Sequence, residues 1–437
     1  MRRFLRPLPL ILAAGIAAAP GVARGEDPGP FSNTLIGDPG GLRSDLHNDG
    51  IDLNLGYTTE TATNLQGGTA QLGRYTDQFT FGTTLDLQKL VGLNNAKIQF
   101  TITNRNGNNL SDDAELDSLQ QVQEVFGRGQ TWRLTQLWYN QTYFNDALDL
   151  KIGRLTEGED FAAFSCEFMN LTFCGAPPGN LVGSYWYNWP VSQWAARVKA
   201  NIAGFGYVQA GAYQVNPTYL TDKGAINFGN PAGTTGALIP IEIAWLPTFG
   251  GSERLAGSYK FGAWYNTSDT ADPVENTGGQ LLALAGGIPL QHNGAWGAYL
   301  NAQQKLTSPS TIDPDRGLSA FFNFTYADPQ TATLDNQIAL GLFYTGLFDS
   351  RPKDQIGIAI GRTHVSGRVS DSQEAQNAAG LGPVDIQHSE YAAEIYYNIN
   401  VYNGVYLQPD FQYVHNPGGI EQNTDDIILG LKTHIDF

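Results

Sequence analysis

Cysteine and methionine are scarce in this 437-residue chain, two of each, and 25 Lys and Arg are outnumbered by 42 Asp and Glu. The shortage of positive charge excludes a nucleic-acid binder, because a phosphate backbone is held by stripes of Lys and Arg. Past the N-terminus no stretch approaches ~18 consecutive apolar residues, so no helix of the mature chain spans a bilayer. A mean hydropathy of −0.25 is too polar for a helical membrane protein, and 11% aromatic residues are too many for a disordered one. Hydrolase signatures are missing as well: there is no His-Glu-x-x-His and no Gly-x-Ser-x-Gly. The six histidines (His47, His292, His364, His388, His415 and His434) are scattered, and Asp313-Pro-Asp-Arg-Gly317 lacks the closing Glu of a calcium loop. No cofactor or metal set is expected. No repeat of fixed length appears, which argues against a propeller.

What is present begins with a leader. Arg2, Arg3 and Arg6 precede an apolar run from Leu8 to Ala19, and small residues follow. A basic start, a short apolar core and a small-residue exit read as a secretory signal peptide, residues 1–23. Cleavage after Ala23 removes the three arginines and takes the net charge from −17 to −20. An exported chain meets an oxidising compartment, so Cys166 and Cys174, eight residues apart with no His nearby, are expected to form a local disulfide. Closing so short a loop contributes on the order of 2–3 kcal/mol to local order.

The dominant pattern has period two, the signature of a sheet with unlike faces. Near the C-terminus Ile427, Leu429, Leu431, Ile435 and Phe437 share one parity, and Gly430, Lys432, His434 and Asp436 the other. Tyr391, Ala393, Ile395, Tyr397 and Ile399 alternate with Glu394, Tyr396 and Asn398. Asn403-Gly404, a tight hairpin signal, leads into the next alternating segment, in which Leu407 and Phe411 oppose Gln408 and Asp410. Sixteen such strands are expected, beginning near residues 50, 76, 95, 131, 147, 193, 204, 238, 257, 293, 316, 335, 353, 388, 403 and 425.

Their connections alternate between short and long. Ala203-Gly204, Phe144-Asn-Asp146 and Asn403-Gly404 are short; 60–75, 106–130, 155–192, 214–237, 267–292 and 364–387 are long. Outer-membrane barrels have short periplasmic turns and longer external loops. The link between strands eleven and twelve is short for an external loop, which leaves the register there less secure; the strands near 131, 238 and 293 are the weakest of the sixteen. Aromatics near strand ends, among them Tyr57, Trp138, Trp245, Trp264, Tyr265 and Tyr406, suggest interfacial girdles. The chain also ends on an aromatic within an alternating strand. Lipid cannot satisfy backbone N–H and C=O groups, so a spanning sheet must close on itself. The expected architecture is all-β: a short N-terminal periplasmic segment, residues 24–49, then a closed antiparallel barrel over 50–437 in the outer membrane of a Gram-negative bacterium. Sixteen strands leave room for water inside.

The longest connection, 155–192, is the third external loop. It carries Glu157, Glu159, Asp160, both cysteines, Pro177-Pro178 and the aromatic run that includes Trp186 and Trp189. Folded inward, it would narrow the pore. Aromatic faces suit the C–H faces of a pyranose, and charged groups suit its hydroxyls. Parity aims Lys97, Arg105, Lys151, Arg197 and Lys199 at the lumen, with Arg133 on a strand of ambiguous parity. Opposed to Glu157, Glu159 and Asp160, they would set a transverse field across a constriction. The competing reading of these carboxylates is a solvated surface patch, or the acid pair of a barrel-borne glycosidase.

Two segments carry a family resemblance. One runs from Arg133-Leu-Thr-Gln-Leu-Trp-Tyr-Asn-Gln through Leu150-Lys-Ile-Gly-Arg154 to Gly175-Ala-Pro-Pro178. The other is Glu394-Ile-Tyr-Tyr-Asn-Ile-Asn-Val followed by Leu407-Gln-Pro-Asp-Phe-Gln-Tyr-Val-His-Asn-Pro417-Gly-Gly. The chain resembles the carbohydrate-selective porins of the OprB family. The resemblance implies a sixteen-stranded barrel passing small sugars, glucose above all, by partly selective diffusion past basic groups on its wall. It implies outer-membrane lipid and the barrel-assembly machinery as partners, the latter through the C-terminal strand, and no enzymatic activity. The chain departs from the family pattern at Gln136, where the family often has Glu, and in its two cysteines and Trp-rich third loop. A general or ion-selective porin is the alternative on the same barrel.

Overall fold

The computed structural model describes residues 31–251, 254–309, 313 and 315–437. The expected signal peptide lies outside them, and so do residues 24–30 of the N-terminal segment. Sixteen long antiparallel strands form one sheet. They are β1 Ile51–Gln66, β2 Gly73–Asp86, β3 Ala96–Gly107, β4 Trp132–Tyr143, β5 Leu148–Leu155, β6 Gln193–Ile202, β7 Gly206–Val215 and β8 Gly236–Trp245. Then follow β9 Leu255–Asn266, β10 Ala295–Lys305, β11 Gly317–Ala327, β12 Leu334–Thr345, β13 Gln355–Val365, β14 Ser389–Tyr402, β15 Val405–His415 and β16 Asp426–Asp436. Each pairs with its neighbours in sequence, and β16 pairs with β1 from Gly56↔Asp436 to Gln66↔Ile427, so the sheet has no free edge. Every expected strand is present, each starting within three residues of its expected position.

The alternation has the physical cause expected of it. Ile152, Val198, Ile241, Phe261, Leu340, Ile360 and Leu429 are exposed on the outer surface, where lipid is their solvent. Their in-between neighbours turn inward, and among them Arg197, Glu242, Ala339, Ala359 and Ile428 are buried. The short turns run through left-handed backbone: Phe144, Asn145 and Asp146 all have positive φ, as does Gly404, and Asn, Asp and Gly are the residues that accept it most readily.

Three expectations change. The first external connection is only residues 67–72, not 60–75, because β1 and β2 stay paired up to Thr63↔Gly73. Thr58 to Gln66 lack an apolar face, but threonine suits a strand that rises clear of the bilayer. The link between β11 and β12 does not disturb the register, which runs unbroken from Gly317↔Thr345 to Tyr326↔Asn336. Thirdly, Trp138, Trp264 and Tyr406 are not girdle residues, since all three face inward. Trp264 stacks on Tyr299 at 6.4 Å, Trp138 carries the Lys151 ammonium over its ring, and Tyr406 pairs with His434.

The apolar core therefore sits inside the barrel, between wall and inward loop. Trp186, Phe161 and Tyr185 of the third loop pack on Tyr213, Trp264 and Tyr299 of the wall. Glycine makes this possible: a Cβ at Gly262 would collide with the Tyr299 ring, and one at Gly297 with the Trp264 ring. Residues 31–49 lie across the opposite, short-turn end. There Arg43 donates to the backbone oxygens of Gly37 and Phe437, and the Leu35 N–H donates to Asp436 O at 2.7 Å.

Candidate functional site

The third loop, residues 156–192, crosses the lumen. Its path is set by wall side chains that bind its backbone, since a chain crossing a polar lumen must satisfy every N–H and C=O. On one side Glu242 accepts from the Ala162 N–H at 2.9 Å, and Asn301 donates to Ala162 O at 3.1 Å. On the far side Gln408 donates to Glu167 O at 2.9 Å, and Lys432 to Phe168 O at 3.3 Å. Glu394 accepts from both Met169 N (2.7 Å) and Asn170 N (2.8 Å). Each such hydrogen bond contributes roughly 0.5–1.5 kcal/mol net and its loss would leave a buried polar group unpaired, so together these contacts fix the loop. Phe168 and Phe173 lock the crossing point against Phe321, Phe343 and Tyr396. A disulfide joins Cys166 to Cys174.

A second loop, residues 108–131, also folds inward, and the sequence carried no signal for it beyond length. The Val125 N–H donates to Glu60 at 3.1 Å, the Leu119 N–H donates to Glu390 at 2.6 Å, and Gln412 donates to Val122 O at 3.0 Å. This loop delivers Glu124 to the middle of the barrel.

Two water-accessible cavities result. The outer, of ≈560 Å³, is lined by Gln78, Arg105, Arg128, Glu159, Asn180 and Trp189 among others. The inner, of ≈470 Å³, opens toward the short-turn end past Gln355, Asn398, Gln408, Lys432 and His434. Glu124 and Cys166 line both cavities, so the Glu124 carboxylate and the disulfide form the narrow boundary between them. Charges there are paired: Glu124 lies 3.9 Å from Arg105 and 3.1 Å from Lys432, and Lys432 also meets Glu60 at 3.3 Å. On the lip of the loop, burial lifts the Glu167 carboxyl above its usual range against the pull of Lys432 and His434.

The residues singled out from sequence divide into two groups. Arg105, Glu159 and Trp189 line the outer cavity. Arg105 is held by Gln78 Oε1 (2.9 Å) and the backbone oxygens of Glu124, Phe126 and Gly127. Glu159 accepts from Gln136 at 2.7 and 2.9 Å, so Gln136 acts as a donor to the acidic loop. Trp189 donates its indole N–H to Gln78 Oε1 at 2.9 Å, leaving the ring half-exposed.

The others line neither of these two cavities. Trp186 is fully buried and has no open face for a sugar. Glu157 is also fully buried; burial raises its pKa well above the carboxylate range, and it accepts from the Tyr187 N–H at 3.0 Å. Arg133 points inward because a bulge between Leu134 and Gln136 shifts the register, but it binds Tyr219 O (2.7 Å) and Leu220 O of another loop. Lys151 and Arg197 do not oppose Asp160 across open space. They touch it, at 3.1 and 3.6 Å, and Arg197 also meets Asp149 at 3.0 Å. The inward loop carries Asp160 onto the wall, where attraction offsets the cost of desolvating the charges, so the expected transverse field is replaced here by buried ion pairs. Lys199 lies over the Tyr207 ring at 4.5 Å, and Lys97 is exposed at the short-turn end of β3. Glu124, Gln78 and Arg128 were missed. Gln78 shares the inward parity of Thr80 and was legible; Glu124 and Arg128 sit on a loop, where parity has no meaning.

A closed barrel whose lumen is narrowed, not sealed, by inward loops defines a porin. The profile of the family described as carbohydrate-selective porin, OprB family, matches residues 70–437. Porin B of Pseudomonas aeruginosa is 44% identical over 421 residues, covering 93% of this chain and 92% of that one. A putative porin, QuiX, of Acinetobacter baylyi is 34% identical, covering 92% and 93%. The high-pH structure of Pseudomonas putida OprB superposes with a TM-score of 0.89 at 43% identity, covering 93% and 98%. The chain belongs to the OprB family of carbohydrate-selective porins and is a multi-pass β-barrel of the outer membrane.

Proposed function

We propose that this barrel passes small sugars of the glucose type by diffusion, selecting them at the passage beside Glu124 and the Cys166–Cys174 disulfide. The observation that carries this reading is the pairing of charge there. Arg105, Glu124 and Lys432, with the buried Glu60 behind Lys432, form a chain of alternating sign, and the first three present donors and acceptors to hydroxyls in the cavities with little net field. A neutral polyol exchanges water hydrogen bonds for these at small cost, whereas an ion must give up hydration without a matching counter-charge. Trp189 offers an apolar face at the entrance, and Arg105 and Glu159 offer polar contacts beside it. The family's members compared with it are channels, and a hydrolytic role for Glu157 has little support because no open space reaches that carboxylate.

The reading also takes residues 1–23 as a cleaved leader, residues 24–49 as a periplasmic segment, and the strand ending at Phe437 as the signal read by the barrel-assembly machinery. The deciding measurement is liposome swelling. Reconstituted protein is expected to admit glucose faster than a zwitterion of equal size; equal rates would remove the selectivity, and no swelling would remove the channel. A general porin would show single-channel currents indifferent to added glucose.

A further inference from the structure

The outer face of the barrel carries two grooves that differ in one respect. The first, of ≈430 Å³, runs along β5 to β7 past Leu150, Ile152, Val198 and Ala212. Its two cationic residues, Lys151 and Arg197, send their charges inward to Asp160. The second, of ≈490 Å³, spans β12 to β15 and is lined by Ile338, Leu340, Ile360 and Ala393, with Arg362, Tyr391 and His415 toward one end. Arg362 shares the outward parity of Ile358 and Ile360, which are exposed to lipid. It lies three residues before Val365, the external end of β13, a span of ~10 Å of strand. That places its guanidinium at headgroup depth in the outer leaflet.

Arg362 has no carboxylate partner among the described residues. Its Nη2 donates to the Asn336 amide oxygen, and its Nε is buried with no acceptor. The carboxylates of the same rim are already engaged: Asp335 pairs with His364 at 2.7 Å, and Asp425 with His415 at 2.9 Å. A guanidinium stays charged at any working pH and is costly on a lipid-facing wall unless an anion meets it. Its fork fits a phosphate better than any neutral headgroup. Below it, small residues and branched aliphatics leave a trough wide enough for an acyl chain.

We propose that this groove binds a phosphorylated glycolipid of the outer leaflet, with Arg362 on the phosphate and one acyl chain lying along Leu340, Ile360 and Ala393. The occupant is a lipid A-type molecule because the cation sits at the external end and the trough runs toward the bilayer midplane.

Native mass spectrometry of the detergent-solubilised full barrel tests this with added bisphosphorylated lipid A, its dephosphorylated counterpart, and phosphatidylglycerol. The wild type is expected to retain bisphosphorylated lipid A and to bind its dephosphorylated counterpart at least roughly tenfold more weakly, the loss of a charge-assisted contact; phosphatidylglycerol, whose phosphodiester carries a single negative charge against the higher charge of a phosphomonoester, is expected to bind more weakly than lipid A. Arg362→Gln should lose the preference for phosphate. Ala393→Trp, which fills the trough and leaves Arg362 intact, should lose binding of all three, and Val198→Trp in the other groove should change nothing. All three positions face lipid, and heat-modifiable gel mobility verifies that each barrel is folded. Equal retention by Arg362→Gln, equal binding of the dephosphorylated lipid or of phosphatidylglycerol, or a second copy of the chain in place of lipid would each overturn the proposal.

Discussion

The Lys432 ammonium lies 3.1 Å from a carboxylate oxygen of Glu124, and this contact joins the last strand of the barrel to a loop that enters from the other end of the chain. Glu124 is the shared wall of both cavities, so the pair fixes the electrostatics of the passage. Lys432 keeps Glu60 at 3.3 Å if Glu124 is removed, but Arg105 then loses its only ion-pair partner among the described residues. Glu124→Gln should therefore shift the channel toward anions. One unit charge at ~4 Å in water corresponds to ~1 kcal/mol, about fivefold in an equilibrium, which is the least change expected in anion-to-cation permeability. Reversal potentials in a salt gradient measure it; an unchanged ratio would show that the passage lies elsewhere.

Glu394 receives two backbone N–H groups of the crossing loop, from Met169 and Asn170. Glu394→Ala leaves both donors without that acceptor, each at a cost of about 1–3 kcal/mol. The barrel should still assemble, because the strand pairing of β14 is untouched. Conductance should rise and become noisy as the loop leaves its seat. A quiet channel of wild-type conductance would refute the anchoring role.

The Cys166–Cys174 bond closes a loop at the narrow passage. Reduction, or Cys166→Ser with Cys174→Ser, removes roughly 2–3 kcal/mol of loop-closure restraint. Thermal unfolding of the barrel should move little, since the wall carries that transition. Glucose-dependent current noise should increase, and reoxidation of the reduced wild type should reverse it.

Outside the membrane, Asp272 ties the hairpin of Thr270–Asn276 and Pro289–His292 to the helix Gly367–Ala378. Burial opposes its ionisation, yet His292, Arg368 and the N–H groups of Val274 and Glu275 hold its pKa at about 2. The folded value lies below the unfolded one, ~3.9. The tie is thus fully present above pH ~4 and is lost as pH falls through about 2. Hydrogen exchange of residues 270–292 should accelerate in that window in the wild type, and Asp272→Asn should show the faster exchange already at neutral pH. Protection independent of pH would exclude this tie.

The sequence by itself determined the barrel. Period-two alternation is local, so all sixteen strands and the tight turns at Phe144–Asp146 and Asn403–Gly404 were legible; a soluble sheet alternates as well, and the aromatics near strand ends and the aromatic-ended last strand turned the reading to a membrane barrel. Parity also aimed Arg105, Lys151, Arg197 and Lys432 inward. Which of them reaches the passage was settled only by tertiary structure. Loops have no period, so nothing local places Glu124 beside Lys432, or buries Trp186 and Glu157 while leaving Trp189 and Glu159 open. Those outcomes depend on where two long loops find acceptors and donors on the far wall, and on the loop path that brings Asp160 into direct contact with Lys151 and Arg197.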